Sequence, residues 1–427
     1  MTLAVMVVAL LVLLLLRVPV AFALLIPSLA YVALDPGVGL GVAVQQTLSG
    51  VNSFPILAVP MFILLGNLAN ASGITDRVYD AAVAFLGHIR GSLGYVNVAT
   101  SFGFSWMSGA AIADAAAMGR VQVPQMIKRG YPTPFALGVT GASSLIAPMI
   151  PPSIPAIMYA VTAGLSVGAL FVVGIVPAAL LVVALCLTVW WLLRHRSDLR
   201  GERTSWPVRA KALLAALPAV GAAVVILGGI LGGVATPTEA SAVGVLYVFL
   251  LALAYRQLTW SKLYRTLVQS VETTGSVLLI VASAALFGWV LARERAPQLA
   301  AETMIDLTTY TVVFLILVNV LLFVVGAVLE PTAAILILVP VLAPVAETFG
   351  VHPLHFAAIV IVNLLLGLLT PPVGLVLFVL SSVTKQPVPA VIKGLLPFYL
   401  LMVGVLLLVT FVPSVSLWLP TALGLAG

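Results

Sequence analysis

Charge is what this chain has least of. Only 7% of its 427 residues are Asp, Glu, Lys or Arg, against about a quarter in a soluble domain. With a mean hydropathy of +1.24, that shortage leaves no room for a sizeable soluble domain. Cysteine is nearly missing too. Cys186, the single one, cannot form an intrachain disulfide, and inside the apolar run Leu181 to Leu187 it reads as a small buried hydrophobe. Motifs for reactive chemistry are also lacking. No Walker-type phosphate loop is present, which excludes ATP hydrolysis by the chain itself. The histidines are His88, His195, His352 and His355. The pair His352-x-x-His355 has no third ligand nearby and is interrupted by Pro353, so a loop is expected there and not a metal site. The net charge of +6 does not point to nucleic acid, because the basic residues are scattered through short loops. No enzyme activity and no organic cofactor are expected.

What the chain has instead is apolar length. Hydrophobic residues make up 62% of it. A membrane span takes roughly 20 apolar residues, so about ten to twelve crossings plus shorter re-entrant pieces are expected. Met1 to Leu16 is apolar at once and lacks the basic region and cleavage site of a signal peptide; a retained first span is expected, with its N-terminus outside. The basic residues fix an orientation. Arg194, Arg196, Arg200, Arg203, Arg209 and Lys211 lie in the longest polar segment, flanked by Trp190, Trp191 and Trp206, which is placed on the cytoplasmic side. Counting spans both ways puts Arg77, Arg90, Lys128, Arg129, Arg256, Lys262, Arg265, Lys385 and Lys393 on the same side. Arg293 and Arg295 fall outside. This holds if the segments around 95–126 and 325–347 are hairpins that do not cross.

The two halves repeat. The segment from Ser143, SSLIAPMIPPSIPAIMY, resembles NLLLGLLTPPVGLVLFV from Asn363, and the proline pairs are offset by 371 − 151 = 220. The same offset relates Pro124 to Pro344, Gly130 to Gly350, Ser143 to Asn363, and Asn52-Ser53 to Glu272-Thr273, where each half is expected to begin a span. An odd number of crossings separates the halves, so they should be oppositely oriented. The fold expected is an all-α polytopic membrane protein of two inverted-topology repeats. The first, 1–195, holds a re-entrant hairpin at about 95–126 and a Pro-Pro-broken helix at about 132–160. A cytoplasmic linker covers 196–210, and the second repeat, 211–427, holds its hairpin at about 310–347 and its broken helix at about 355–382. Inverted repeats with broken helices mark many secondary transporters, with sites near the midplane.

Each proline pair, Pro151-Pro152 and Pro371-Pro372, removes two backbone donors and bends the preceding residue out of helical geometry. Freed carbonyls in a bilayer need partners, and sodium would satisfy them. Ser143 and Ser144 precede the first break; Asn363, Gly367 and Thr370 precede the second. Their oxygens suit a hard cation. A packing kink is the alternative for one such pair; two in register favour ion sites. In the first hairpin, Ser108-Gly109 is a turn among small residues, and a half-helix starting at Ser108 would aim its positive end at depth, where an anion can bind. The counterpart is Glu330-Pro331-Thr332, with proline suited to a first helical turn. Intramembrane carboxylates are costly and functional by default, which marks Asp114 and Glu330 at the hairpin tips. Glu272 sits at a span's mouth and reads as interfacial. Glu239, after Thr236-Pro237-Thr238, is either a helix cap or a functional carboxylate.

These segments carry a resemblance. Phe54 to Phe62 with Gly66-Asn67, Ser108-Gly109 to Asp114, Ser143-Ser144 to Pro155, Thr236 to Ala240, and Gly367 to Gly374 together make the chain resemble, nearly end to end, the large membrane subunit (DctM family) of tripartite ATP-independent periplasmic (TRAP) transporters. Two positions depart from the family pattern. Ala110 stands where a second serine is expected, losing one hydroxyl, and Glu330 stands where many members have Asp. The resemblance implies an elevator-type, ion-transporter-like architecture in the bacterial inner membrane, and the span count places both termini on the periplasmic side. It implies sodium ions as coupling ions and an organic carboxylate as substrate. It also implies two partners: a periplasmic binding protein that delivers the solute, and a small four-span membrane subunit. The latter is expected as a separate chain, since nothing precedes the first span. Sodium would then sit at Ser108, Gly109, Ser143, Ser144, Asn363, Gly367 and Thr370. Substrate would meet Ser108, Asp114, Pro151, Pro152, Glu330, Thr332, Pro371 and Pro372. Two alternatives are a stand-alone sodium- or proton-coupled anion transporter and an intramembrane hydrolase using Ser108 or Ser144 with Asp114.

Overall fold

Without water in a bilayer core, backbone groups must pair within their own segment, and this chain answers with helices throughout. A computed structural model describes residues 3–201 and 203–426, and among them there is no β-strand. The first half runs α1 (Leu3–Leu15), α2 (Val20–Leu34), α3 (Leu40–Val51), a 3-10 turn at Phe54–Leu57, α4 (Ala58–Ala71) and α5 (Ile74–Leu86). It continues through α6 (Ser92–Ser108), α7 (Ala111–Lys128), α8 (Thr133–Ser144), α9 (Ile154–Ala163), α10 (Val167–Val173) and α11 (Ile175–Leu193). The second half has α12 (Trp206–Leu231), α13 (Pro237–Ala254), α14 (Trp260–Arg293), α15 (Ala296–Leu307) and α16 (Thr311–Gly326). It ends with α17 (Pro331–Thr348), α18 (Pro353–Gly367), α19 (Leu375–Thr384), α20 (Val388–Phe411) and α21 (Pro413–Ala422). Many of these helices open on a first-turn proline, among them α13, α17 and α18, where the missing N–H costs nothing.

Seven helical segments are long and apolar enough to cross a membrane among the described residues: Phe54–Ala71, Val167–Leu193, Trp206–Leu231, Pro237–Ala254, Trp260–Arg293, Pro331–Thr348 and Val388–Phe411. The number is below the expected ten to twelve because α1, α2, α16 and the broken-helix pieces α9, α18 and α19 are apolar but only 10–17 residues long. Their outward faces are oily: Val224, Leu246 and Val320 are all exposed. Polar side chains are gathered inside, where Asn97, Ser101, Asp114, Ser143 and Asn363 are fully buried.

The repeat is visible helix by helix. The second arm of the first hairpin, α7, maps onto α17 at both ends, 331 − 111 = 220 and 348 − 128 = 220. The start of α8 maps onto that of α18, 353 − 133 = 220. Packing is reciprocal as well: α7 lies on α19 while α17 lies on α9, and α2 lies on α14 while α13 lies on α4. Such exchange is the pattern a pseudo-two-fold relation produces. One expected correspondence fails. No span begins at Glu272-Thr273, because α14 runs unbroken through them. The first half breaks at Asn52-Ser53 because Pro55 follows and enforces the 3-10 turn, and the second half has no proline there. Glu272 is an exposed residue within α14.

The linker is shorter than expected, since α12 already begins at Trp206. It is also fastened. Gly201 N donates to Gly87 O (3.0 Å), Gly91 N to Leu199 O (3.1 Å), Arg200 Nε to His88 O (2.9 Å) and Arg209 Nε to Ala84 O (3.1 Å). Tyr131 Oη reaches Leu199 O at 3.3 Å. The basic segments near 88–90, 129 and 194–209 thus meet at one end of the molecule. At another point Arg77 stacks on the Tyr255 ring, 3.5 Å from its centroid, joining α5 to the end of α13. Arg293 instead pairs with Asp35 (3.0 Å), and Tyr31 donates to Glu294, clamping α2 to α14. In the linker the Arg196 guanidinium holds the Asp198 carboxyl below its usual range. The expected sidedness of the termini concerns Met1 and Gly427, which lie outside the described residues.

Candidate functional site

Each hairpin turns beside the proline break of its own repeat. In the first, α6 ends at Ser108, Gly109 takes a left-handed conformation (φ 61°) and Ala110 is extended before α7. Ser108 therefore closes the first arm, and the helix start expected at Ser108 lies at Ala111. The Ser108 hydroxyl reaches forward to Ala110 O, 3.4 Å away. A Cβ on Gly109 would fall 2.4 Å from Pro152 O, so the tip rests directly on the first break and only glycine fits.

Asp114 lies in the first turn of α7, fully buried. Ser101 Oγ is 2.8 Å from Asp114 Oδ2 and 3.1 Å from Ser143 Oγ. Ser143 Oγ donates to Asn97 Oδ1 (2.7 Å), Asn97 Nδ2 donates to Thr140 Oγ1 (2.8 Å), and Thr140 donates to Ala136 O (2.8 Å). The cluster joins both hairpin arms to α8. Asp114 Oδ1 is buried with no partner, a placement that costs free energy unless a cation or dipole meets it. Ser144 is turned away, donating to Gly141 O at 2.7 Å.

The break after α8 is buried from Leu145 through Ser153. Pro151–Pro152 is cis. Pro148 O accepts from Ser153 Oγ. Among the described residues no backbone N–H donates to the carbonyls of Leu145, Ala147, Met149, Ile150, Pro151 or Pro152. Buried carbonyls are almost always paired, so this run of unpaired ones is suited to a hard cation.

The second site differs from the first. Val373 N and Gly374 N both donate to Ala327 O (3.2 and 3.1 Å), tying the break to the tip of the α16–α17 hairpin. A Cβ on Gly367 would lie 2.3 Å from the carbonyl carbon of Gly326, so the two helices touch backbone to backbone. Asn363 Nδ2 donates to Asn319 O (3.0 Å) and Oδ1 (2.7 Å), while Asn363 Oδ1 is buried and unpartnered. Thr370 Oγ1 donates to Leu366 O, and Tyr399 donates to Leu369 O. The Pro371–Pro372 bond is also cis. Pro371 and Pro372 are exposed whereas Pro151 and Pro152 are buried, so the matched prolines are not equivalent in access. Glu330 caps α17: Oε2 accepts from Ala333 N (3.2 Å) and Oε1 from Thr332 Oγ1 (2.8 Å). A carboxylate of the chain thus already holds that helix N-terminus, expected to be open to an anion. No side chain caps α7.

The structure thus groups Asp114 with Ser143, Gly109 with Pro152, Gly367 with the second hairpin, and Glu330 with Thr332. Glu239 joins none of them. It forms a capping box with Thr236, accepting from Thr236 N and Oγ1 (2.8 Å each) on an exposed helix end. The hydrolase pairing does not form, since Asp114 bonds Ser101 and neither Ser108 nor Ser144. Among the described residues no three His, Cys, Asp or Glu gather as for a metal. The expected loop at His352–His355 is a helix start: His352 caps α18 and His355 is buried against Ser416 and Thr410. Sequence reasoning missed Asn97, Ser101, Thr140, Asn319 and Tyr399. A signal existed for two of them: Asn97, Ser101, Ser105 and Ser108 recur at helical spacing along α6, a polar stripe on an apolar arm.

Residues 7–415 match the family model described as the DctM component of the tripartite ATP-independent periplasmic transporter. The chain is 40% identical over 403 residues to the sialic acid TRAP transporter large permease protein SiaM of Vibrio cholerae, covering 94% of each. It is 35% identical over 422 residues to the C4-dicarboxylate TRAP transporter large permease protein DctM of Rhodobacter capsulatus, covering 95% of this chain and 96% of that one. Among solved structures, the Alcanivorax borkumensis YdaH transporter superposes with a TM-score of 0.63 at 17% identity, over 92% of this chain and 91% of the other; that likeness is one of fold.

Proposed function

The chain belongs to the DctM family of tripartite ATP-independent periplasmic transporters, the large permease subunits of such systems, and we propose that it moves an organic carboxylate inward, driven by sodium. Its relatives are permease subunits and not enzymes. The observation that carries the sodium is the chemistry at the two breaks. A buried run of unpaired carbonyls beside Pro151-Pro152, and the orphaned oxygens Asp114 Oδ1 and Asn363 Oδ1, form the hard, oxygen-only surroundings that suit such a cation. Cations held near Ser143 and near Asn363 order the two hairpin tips, which rest on the breaks through Gly109 and Ala327.

The substrate carboxylate meets the uncapped N-terminus of α7, where N–H groups and the helix dipole favour an anion. Glu330 already occupies the N-terminus of α17, which directs the anion to the uncapped α7. With both ligands bound, charge is hidden, and the hairpins with their broken helices cross as one body against α2, α4, α13 and α14. The carboxylate class is supported by the relatives, whose names specify sialic acid and C4-dicarboxylate. Delivery by a periplasmic binding protein, a separate small four-span subunit, and residence in the bacterial inner membrane with both termini periplasmic complete the proposal.

Reconstitution tests it. Proteoliposomes containing the chain with a four-span subunit and a binding protein encoded beside it should take up the solute which that binding protein retains. Proteoliposomes containing the chain alone should not. Uptake by the chain alone at the same rate would favour the stand-alone transporter and overturn the tripartite assignment.

A further inference from the structure

We propose that Asn97 and Asn319 are positioning residues that turn Ser143 and Asn363 into pure acceptors for a cation. Both residues stand on the first arm of their hairpin, α6 or α16, and both reach across to the broken helix of their own repeat. Ser143 and Asn363 occupy equivalent positions, 363 − 143 = 220.

The hydrogen-bond directions are fixed by groups that can only accept. In the first repeat Thr140 gives its proton to Ala136 O, so its oxygen must accept from Asn97 Nδ2. That orients the Asn97 carboxamide and leaves Oδ1 facing Ser143, whose proton it takes at 2.7 Å in preference to the more distant Thr140 O at 3.2 Å. The Ser143 oxygen then offers lone pairs only. In the second repeat Asn319 Nδ2 donates to Leu315 O (2.7 Å), which turns its Oδ1 toward Asn363. Asn319 O and Oδ1 both accept from Asn363 Nδ2, and Thr410 Oγ1 supports Asn319 Oδ1 at 3.3 Å. The amide nitrogen of Asn363 is thereby occupied, and its Oδ1 is presented buried and unpartnered. A bound cation tolerates oxygen lone pairs and not N–H or O–H protons. Both carboxamides therefore hold the donor hydrogens turned away from the ion. They also link the break to the hairpin arm, so an occupied site and a seated hairpin favour each other.

Both roles presuppose the sodium coupling proposed above, and sodium alone is the probe. Binding of radioactive sodium is titrated on the purified chain with its small subunit, with thermal melting as a fold control. Asn97→Leu and Asn319→Leu, similar in size but lacking the acceptor, should each raise the half-saturating sodium concentration about tenfold, equivalent to about 1.4 kcal/mol. Asn97→Asp and Asn319→Asp keep an acceptor and add negative charge, and should bind sodium at least as tightly as the unaltered protein. A purely structural role predicts the opposite for the Asp variants, which bury a charge. Unshifted sodium titrations in folded Leu variants would overturn the positioning role. If the Leu variants do not fold, weaker sodium binding in the Asp variants overturns it. An unaltered protein that binds no sodium would instead overturn the coupling itself, and the positioning role with it.

Discussion

Gly367→Ala should loosen the second break at a cost that can be worked from the contact. The added Cβ would sit 2.3 Å from the Gly326 carbonyl carbon and 2.6 Å from its Cα and oxygen. All three are backbone atoms of α16, so no side chain can swing aside. Ordinary contact begins near 3.4 Å, so α16 and α18 must part by roughly 1 Å. Overpacking of this kind costs about 1–3 kcal/mol, partly offset by up to about 1 kcal/mol from replacing glycine inside a helix. Gly404→Ala in α20 supplies the control, because nothing lies within 4 Å of its Cβ position, and it should be neutral or slightly stabilising. Melting of both variants in one detergent checks the difference: Gly367→Ala should melt several degrees below Gly404→Ala. Its sodium requirement should also rise, since Asn363 lies one helical turn before the contact. Coincident melting curves would refute the backbone-to-backbone packing of hairpin and break.

Ser143→Ala and Asn363→Ala should raise the sodium concentration needed for half-maximal uptake more than they lower expression; unchanged sodium curves in both would remove these residues from the ion sites. Glu239→Gln should transport at the unaltered rate, because a capping box is a local device worth about 1 kcal/mol; loss of uptake with normal melting would restore a functional role for that carboxylate. The Asp198–Arg196 pair sets a pH window. Because Arg196 lowers the Asp198 carboxyl, the pair's contribution is present above the ordinary carboxylate range and is lost as pH falls through the depressed folded value. The melting difference between Asp198→Asn and the unaltered protein should therefore be small at neutral pH, shrink with salt and vanish in acid.

Much of the architecture was legible because proline and glycine punctuate it. Pro151-Pro152 and Pro371-Pro372, held at one offset with Pro124/Pro344 and Gly130/Gly350, placed both breaks and both hairpins. The offset misled at Glu272-Thr273, where a repeat position carries no proline and α14 therefore runs straight on. Turn positions were harder to assign than hairpins: Ser108 belongs to the first arm because Gly109 can adopt positive φ and Ala110 then extends. The partners of the proposed ion-site side chains were hidden for a different reason. Asn319 is a lone amide in an otherwise apolar helix, and its significance lies in a contact 44 residues along the chain. The role of Glu330 depended on which group caps which helix, and a carboxylate one residue before Pro331 caps its own. Unequal exposure of the two proline pairs could not be read from residues that match.

Coupling is the central claim, and one measurement meets it directly: uptake of the carboxylate by proteoliposomes holding the chain, its small subunit and the binding protein, with either sodium or choline outside. The proposed ion sites at the two breaks predict accumulation only with an inward sodium gradient, collapsing when sodium is equalised across the membrane. Equal uptake with sodium and with choline would contradict the account.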